Sequence, residues 1–178
     1  MTAPRILVAG IGNIFLGDDA FGVEVARQLA GRTLPEGVRV VDFGIRGFDL
    51  AYALLDGDEQ AILVDAMPRG QAPGTLYVLE HELTAADGAA APEAAVEPHG
   101  MDPVKVLRLV QALGGKPQRL LVVGCEPESF GEEEDGRMGL SAPVQQAVLE
   151  AVALIERLIN QIGERQGLAP VAGDVVSV

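Results

Sequence analysis

Four side chains stand where a sequence of this kind could do chemistry: Asp19, Asp42, Asp65 and His99. Each aspartate follows or ends an apolar, strand-like run, and His99 precedes a helix start at Asp102-Pro103. In open α/β sheets, ligands bind beyond the carboxyl ends of the strands, where loops lead into helices. If the strands run parallel, these four side chains can converge on one edge. Two carboxylates and an imidazole make a mixed oxygen and nitrogen set, suited to a borderline divalent metal such as nickel or zinc. Three protein ligands leave positions open for water or a substrate group.

Each residue also has an ordinary structural use. Asp18 and Asp19 precede a helical stretch and can cap it, although two neighbours cannot cap one helix end. Asp42 can fix the turn into Gly44, and a lone loop histidine often decorates a surface. Asp65 is harder to set aside. A carboxylate that ends the buried run Ala61-Ile62-Leu63-Val64 needs an amide, a cation or a metal as partner.

Other patterns fail on inspection. Gly10-Ile11-Gly12-Asn13 opens like a dinucleotide fingerprint, but Phe15 stands where the third glycine belongs. A bulky aromatic there is expected to obstruct helix packing, and Asp18-Asp19 would set negative charge at the seat of a pyrophosphate. His81-Glu82 starts a zinc-protease HExxH that fails at Ala85. Cys125 and His99 could pair as nucleophile and base. A thiol ending the run LLVVG reads more simply as a small buried hydrophobe.

The elements that must position these groups follow from periodicity. Apolar runs at 5–10, 38–42, 60–66, 74–80 and 119–125 read as strands. Helical character covers 21–30 and 47–55. It resumes after Asp102-Pro103 with Val104, Leu107, Val110 and Leu113 on one face. A last amphipathic helix from Ala142 carries Val144, Val148, Val152, Ile155, Ile159 and Ile162. Residues 83–98 read as a long loop, the acidic run 132–135 as a solvated loop, and the tail from 164 as loosely held. The alternation predicts a single α/β domain over residues 1–178, with a mostly parallel five-stranded sheet and helices on both faces.

Composition narrows the function classes. The chain has 178 residues, 48% of them apolar, which suffices for one sizeable core. It has neither a run long enough to span a membrane nor a signal-peptide pattern, so a cytoplasmic location is expected. Thirteen basic residues against 26 acidic give a net charge of −13, which disfavours nucleic acid and anionic lipid as partners. Tryptophan is lacking, so base-stacking platforms are not expected. The single Cys125 fits a reducing compartment.

Several segments together resemble the nickel–iron hydrogenase maturation proteases. They are Ile6–Asn13, Gly17-Asp18-Asp19, Gly22-Val23, Leu63–Ala66, His99–Pro103 and Val123–Pro127, in that order, covering residues 5–160. The resemblance implies an α/β endopeptidase that removes a C-terminal extension from a hydrogenase large-subunit precursor after nickel insertion. It implies metal-binding roles for Asp19, Asp65 and His99. The nickel would belong to the substrate, while a surrogate divalent ion can occupy the same ligands. The group that activates water stays open between a metal ion and a carboxylate base such as Asp42. Two departures stand out. In the loop Asp42-Phe43-Gly44-Ile45-Arg46-Gly47 the aspartate and the framing glycines persist, but Phe43, Ile45 and Arg46 depart from the Gly- and Thr-containing loop of many members, and Asp19 replaces a glutamate found in some. A monomer that meets its partner transiently is expected. The alternatives are a non-catalytic nickel-sensing assembly module with the same ligands, and a small-molecule-binding domain built on the Gly10–Asn13 loop.

Overall fold

The apolar run after Arg5 becomes β1 (Ile6–Ile11), a strand whose six residues are all buried. β3 (Gln60–Ala66) is buried from Ala61 onward. Strands covered on both faces need continuous rather than alternating apolar sequence, which is what these two segments contain. The computed structural model describes residues 5–55, 60–82, 103–115, 119–131 and 138–165. Its remaining strands are β2 (Val38–Gly44), β4 (Leu76–Glu82) and β5 (Arg119–Cys125), in the order β2-β1-β3-β5-β4. The first four positions are parallel, and β4 closes the sheet antiparallel to β5. This is the expected α/β domain with a mostly parallel five-stranded sheet, and β3 lies at its centre.

Helices cover both faces. α1 (Phe21–Ala30) and α4 (Ala142–Arg165) bury their apolar stripes against Val8, Ile62 and Val123. α2 (Gly47–Leu55) and α3 (Pro103–Ala112) pack on Leu7, Ala9, Leu63 and Val122 from the other side. All six residues assigned to the inner face of the last helix are buried. The Val104 side chain lies outside the described ones; among those of α3 that are described, Val106, Leu107 and Val110 are buried, whereas Leu113 just beyond the helix is 48% exposed. That assignment is corrected: the helix ends at Ala112, so the three-residue spacing no longer applies to Leu113. β4 is displaced by two residues from the expected run, and α4 continues to Arg165. Asp102, the 83–98 segment, the acidic run 132–135 and the tail after 165 lie outside the described residues. Among the described residues, no helix is long and apolar enough to cross a membrane.

One close approach sets the geometry above β1. A Cβ on Gly22 would lie 2.0 Å from the Val64 carbonyl oxygen and 2.3 Å from that of Ile11, so α1 rests directly on the strands. Phe15 is 57% exposed and stays clear of this contact. The packing role that a dinucleotide fold gives its third glycine falls here on Gly22, within the helix.

Candidate active site at the carboxyl edge of the sheet

Beyond β1 the chain turns back sharply. Gly12 has φ 144°, and a Cβ there would sit 1.8 Å from the Asp19 carbonyl oxygen. Glycine therefore lets the 3₁₀ turn Gly17–Ala20 fold over the end of the strand. That turn packs on β3. Asp19 is half-buried within it, and its Oδ2 accepts the Asn13 amide at 2.8 Å. Asn13 in turn accepts the Phe15 amide at 2.9 Å, which fixes the loop between them. Burial raises the Asp19 carboxyl above its ordinary proton affinity, and the Asn13 amide offsets part of that.

Asp65 is the next-to-last residue of β3 and is buried, at 8% exposure. It faces Gly124 across the β3–β5 ladder. A Cβ on Gly124 would come 2.4 Å from the sulfur of Met67, so this glycine makes room for the methionine beside Asp65. Asp42 reaches the same edge from β2, in a row with Gly10 and Val64. Asp65 stands one residue further along β3, so the pleat directs these two carboxylates to opposite sides of the sheet. The backbone around Asp42 is held by Arg46, which donates from Nη2 to the Asp42 carbonyl and from Nε to the Phe43 carbonyl at 3.1 Å. His99 lies outside the described residues. Among those that are described, no three His, Cys, Asp or Glu side chains cluster at metal-binding spacing.

Asp18 has a different role from the cap considered for it. Neither the 3₁₀ turn nor α1 has a side-chain cap. Instead the buried Asp18 carboxylate accepts the Glu128 and Ser129 amides at 2.8 and 3.1 Å, the Ser141 amide at 2.7 Å and the Ser141 hydroxyl at 2.9 Å. One side chain thus ties the β1–α1 connection to the segment after β5 and to the start of α4, whose positive end favours the negative charge.

Glu126 was missed as a structural centre, although it follows a buried strand just as Asp65 ends one. It is 5% exposed and accepts the Tyr77 hydroxyl, the Arg69 amide at 2.8 Å and the Gly70 amide at 3.1 Å. The Tyr77 hydroxyl and these amides hold its carboxyl below the usual range despite burial. Tyr77 is pushed up to about 12 by burial and by the neighbouring carboxylate. Burial foremost, then Asp18 and Glu126, pushes the Cys125 thiol up to about 12 as well. A fully buried neutral thiol is no nucleophile, and the expected inert role of Cys125 stands.

Carboxylates gathered at the carboxyl end of a parallel sheet are open to several chemistries, and comparison with known proteins narrows them. Residues 23–158 match the hydrogenase maturation protease family. The chain belongs to that family. It is similar to the hydrogenase expression/formation protein HoxM of Azotobacter vinelandii, with 34% identity over 92% of this chain and 76% of that protein. It is also 31% identical to the hydrogenase 2 maturation protease of Escherichia coli K12, over 89% and 88% of the two chains. Among solved structures, the hydrogenase maturating endopeptidase HybD from Escherichia coli superposes with a TM-score of 0.69 at 28% identity, covering 89% of this chain and 94% of its own. The hydrogenase 2 maturation peptidase from Thaumarchaeota archaeon SCGC_AB-539-E09 gives 0.66 at 30%, covering 93% and 99%. A hydrogenase maturation protease is a hydrolase. Asp42, Asp65 and His99 fall within the matched stretch, whereas Asp18 and Asp19 precede it.

Proposed function

We propose that this protease removes the C-terminal extension of a nickel–iron hydrogenase large-subunit precursor once nickel has been inserted, and that it does so in the cytoplasm. Asp19, Asp65 and His99 would read the metal. The nickel is part of the substrate, so the protease itself needs only ligands that reach into the precursor's metal site.

The observation that best supports this reading is that the turn bearing Asp19 packs on β3, the strand whose carboxyl end carries the buried Asp65. A buried carboxylate on the central strand and a half-buried one in the turn packed on that strand provide anionic oxygen donors. Such donors suit a borderline divalent ion, and desolvation makes them responsive to an arriving cation. Asp42 sits on the other side of the sheet plane from Asp65, and Arg46 holds its backbone, which suits a loop-positioning role better than that of a third oxygen ligand.

The test is cleavage of nickel-loaded and nickel-free precursor by wild type and by Asp65→Ala and His99→Ala. Shortening that requires both nickel and wild-type protein supports the reading. Tight binding of loaded precursor without shortening would instead assign a non-catalytic assembly role.

A further inference from the structure

We infer that the outer edge of β4 receives the precursor's C-terminal extension as an added strand, with Arg69 at the entrance. The inference rests on the processing function proposed above and extends it to how the peptide is held. Among the described residues β4 pairs on one side only, with β5. An edge strand presents backbone donors and acceptors that an extended peptide can satisfy.

A depression of about 590 Å³ follows this strand, lined by Thr75, Leu76, Tyr77, Val78 and Leu79 together with Arg69 and Gln71. Successive strand residues point to opposite faces. A hollow on one face would therefore be lined by alternate residues, whereas four consecutive strand residues, Leu76 to Leu79, mark a groove along the edge itself. Val78 is 44% exposed within it.

The entrance is pre-organised. Glu126 holds the Arg69 and Gly70 amides and the Tyr77 hydroxyl at once. The Arg69 guanidinium lies 5.4 Å from the centre of the Tyr77 ring. In a chain of net charge −13, this places a cation where an acidic side chain of the incoming peptide can be recognised.

Register connects the groove to the candidate site. Tyr77 pairs with Gly124, and Gly124 pairs with Asp65, so all three share one row across the sheet. A peptide outside β4 would lie three strand spacings from Asp65, about 14 Å, which about four extended residues bridge. β4 runs away from the site edge, so an extension entering there and continuing to its C-terminus lies parallel to β4.

The experiment combines amide hydrogen exchange with cleavage kinetics on the nickel-loaded precursor, using Arg69→Gln and Val78→Asp. Exchange is read on wild type mixed with loaded precursor at low temperature, before turnover. The expected result is protection of the Leu76–Glu80 amides, with KM raised at least fivefold in both variants and kcat within twofold of wild type. Lack of β4 protection, or a KM within twofold of wild type in both variants, overturns the inference. Failure of wild type to shorten loaded precursor at all would instead count against the processing function beneath it.

Discussion

At the scale of single residues, neighbouring aspartates divide two tasks. Asp18 is fully satisfied by hydrogen bonds and holds three segments together, while Asp19 pays a desolvation cost in a half-buried position. Folding raises the Asp19 pKa above its ordinary 3.8, so the folded state binds that proton more tightly than the unfolded chain. Stability is therefore lost as pH rises from that value through the folded pKa, and ionised Asp19 weakens the fold at neutral pH. Asp19→Asn keeps an acceptor for the Asn13 amide and removes the charge. It should raise the melting temperature at pH 7 while abolishing precursor cleavage, the trade expected of a functional group. A lowered melting temperature with normal cleavage would reverse that assignment. Asp18→Ala leaves three amides and a hydroxyl without their acceptor. Chemical denaturation should show a loss of about 3–4 kcal/mol; a loss below about 1 kcal/mol would deny the staple role. The sequence placed Asp65 at a buried strand end, and it lies there at 8% exposure. Sequence reasoning misjudged Asp18, because the amides that satisfy it lie more than a hundred residues away.

At the scale of elements, periodicity located the strands and helices well because most are buried on a regular face. The register of β2, β1 and β3 could not be read from it. Which strand lies central depends on long-range pairing, and so does the placing of Asp42 and Asp65 on opposite sides of the sheet. Gly22 illustrates the same limit: a helical glycine reads as a weak helix former until the strands beneath it are known. Gly22→Ala would drive a methyl into the Val64 and Ile11 carbonyls. The expected cost is about 3 kcal/mol, measured by denaturant unfolding, and an alanine variant as stable as wild type would contradict the contact. The β4 end has its own signature in pH. Glu126 has a folded pKa below its ordinary 4.5, chiefly through Tyr77, so its contribution is present above that value and lost as pH falls through the folded pKa. Tyr77→Phe should move the onset of acid unfolding, followed by circular dichroism, to higher pH. An unchanged acid limb would mean the hydroxyl contributes nothing.

At the scale of the molecule, the sheet is a platform with the candidate site at the carboxyl edge of its parallel strands. Four parallel strands end there. Two structural carboxylates, Asp18 and Glu126, fix the loops around that edge while Asp19 and Asp65 remain at its centre. The candidate site was legible as far as its strand-end aspartates and the ordered motifs, because both depend on local sequence. The side of the sheet taken by each carboxylate was not, since the pleat and register decide it. Under the proposed function, this platform couples peptide cleavage to nickel in the precursor. Mass spectrometry of the large-subunit precursor before and after incubation with the protease, with and without nickel loading, tests it most directly. The account predicts loss of one C-terminal peptide from the nickel-loaded form alone. Equal shortening of the nickel-free form, or an unchanged mass in both, would contradict it.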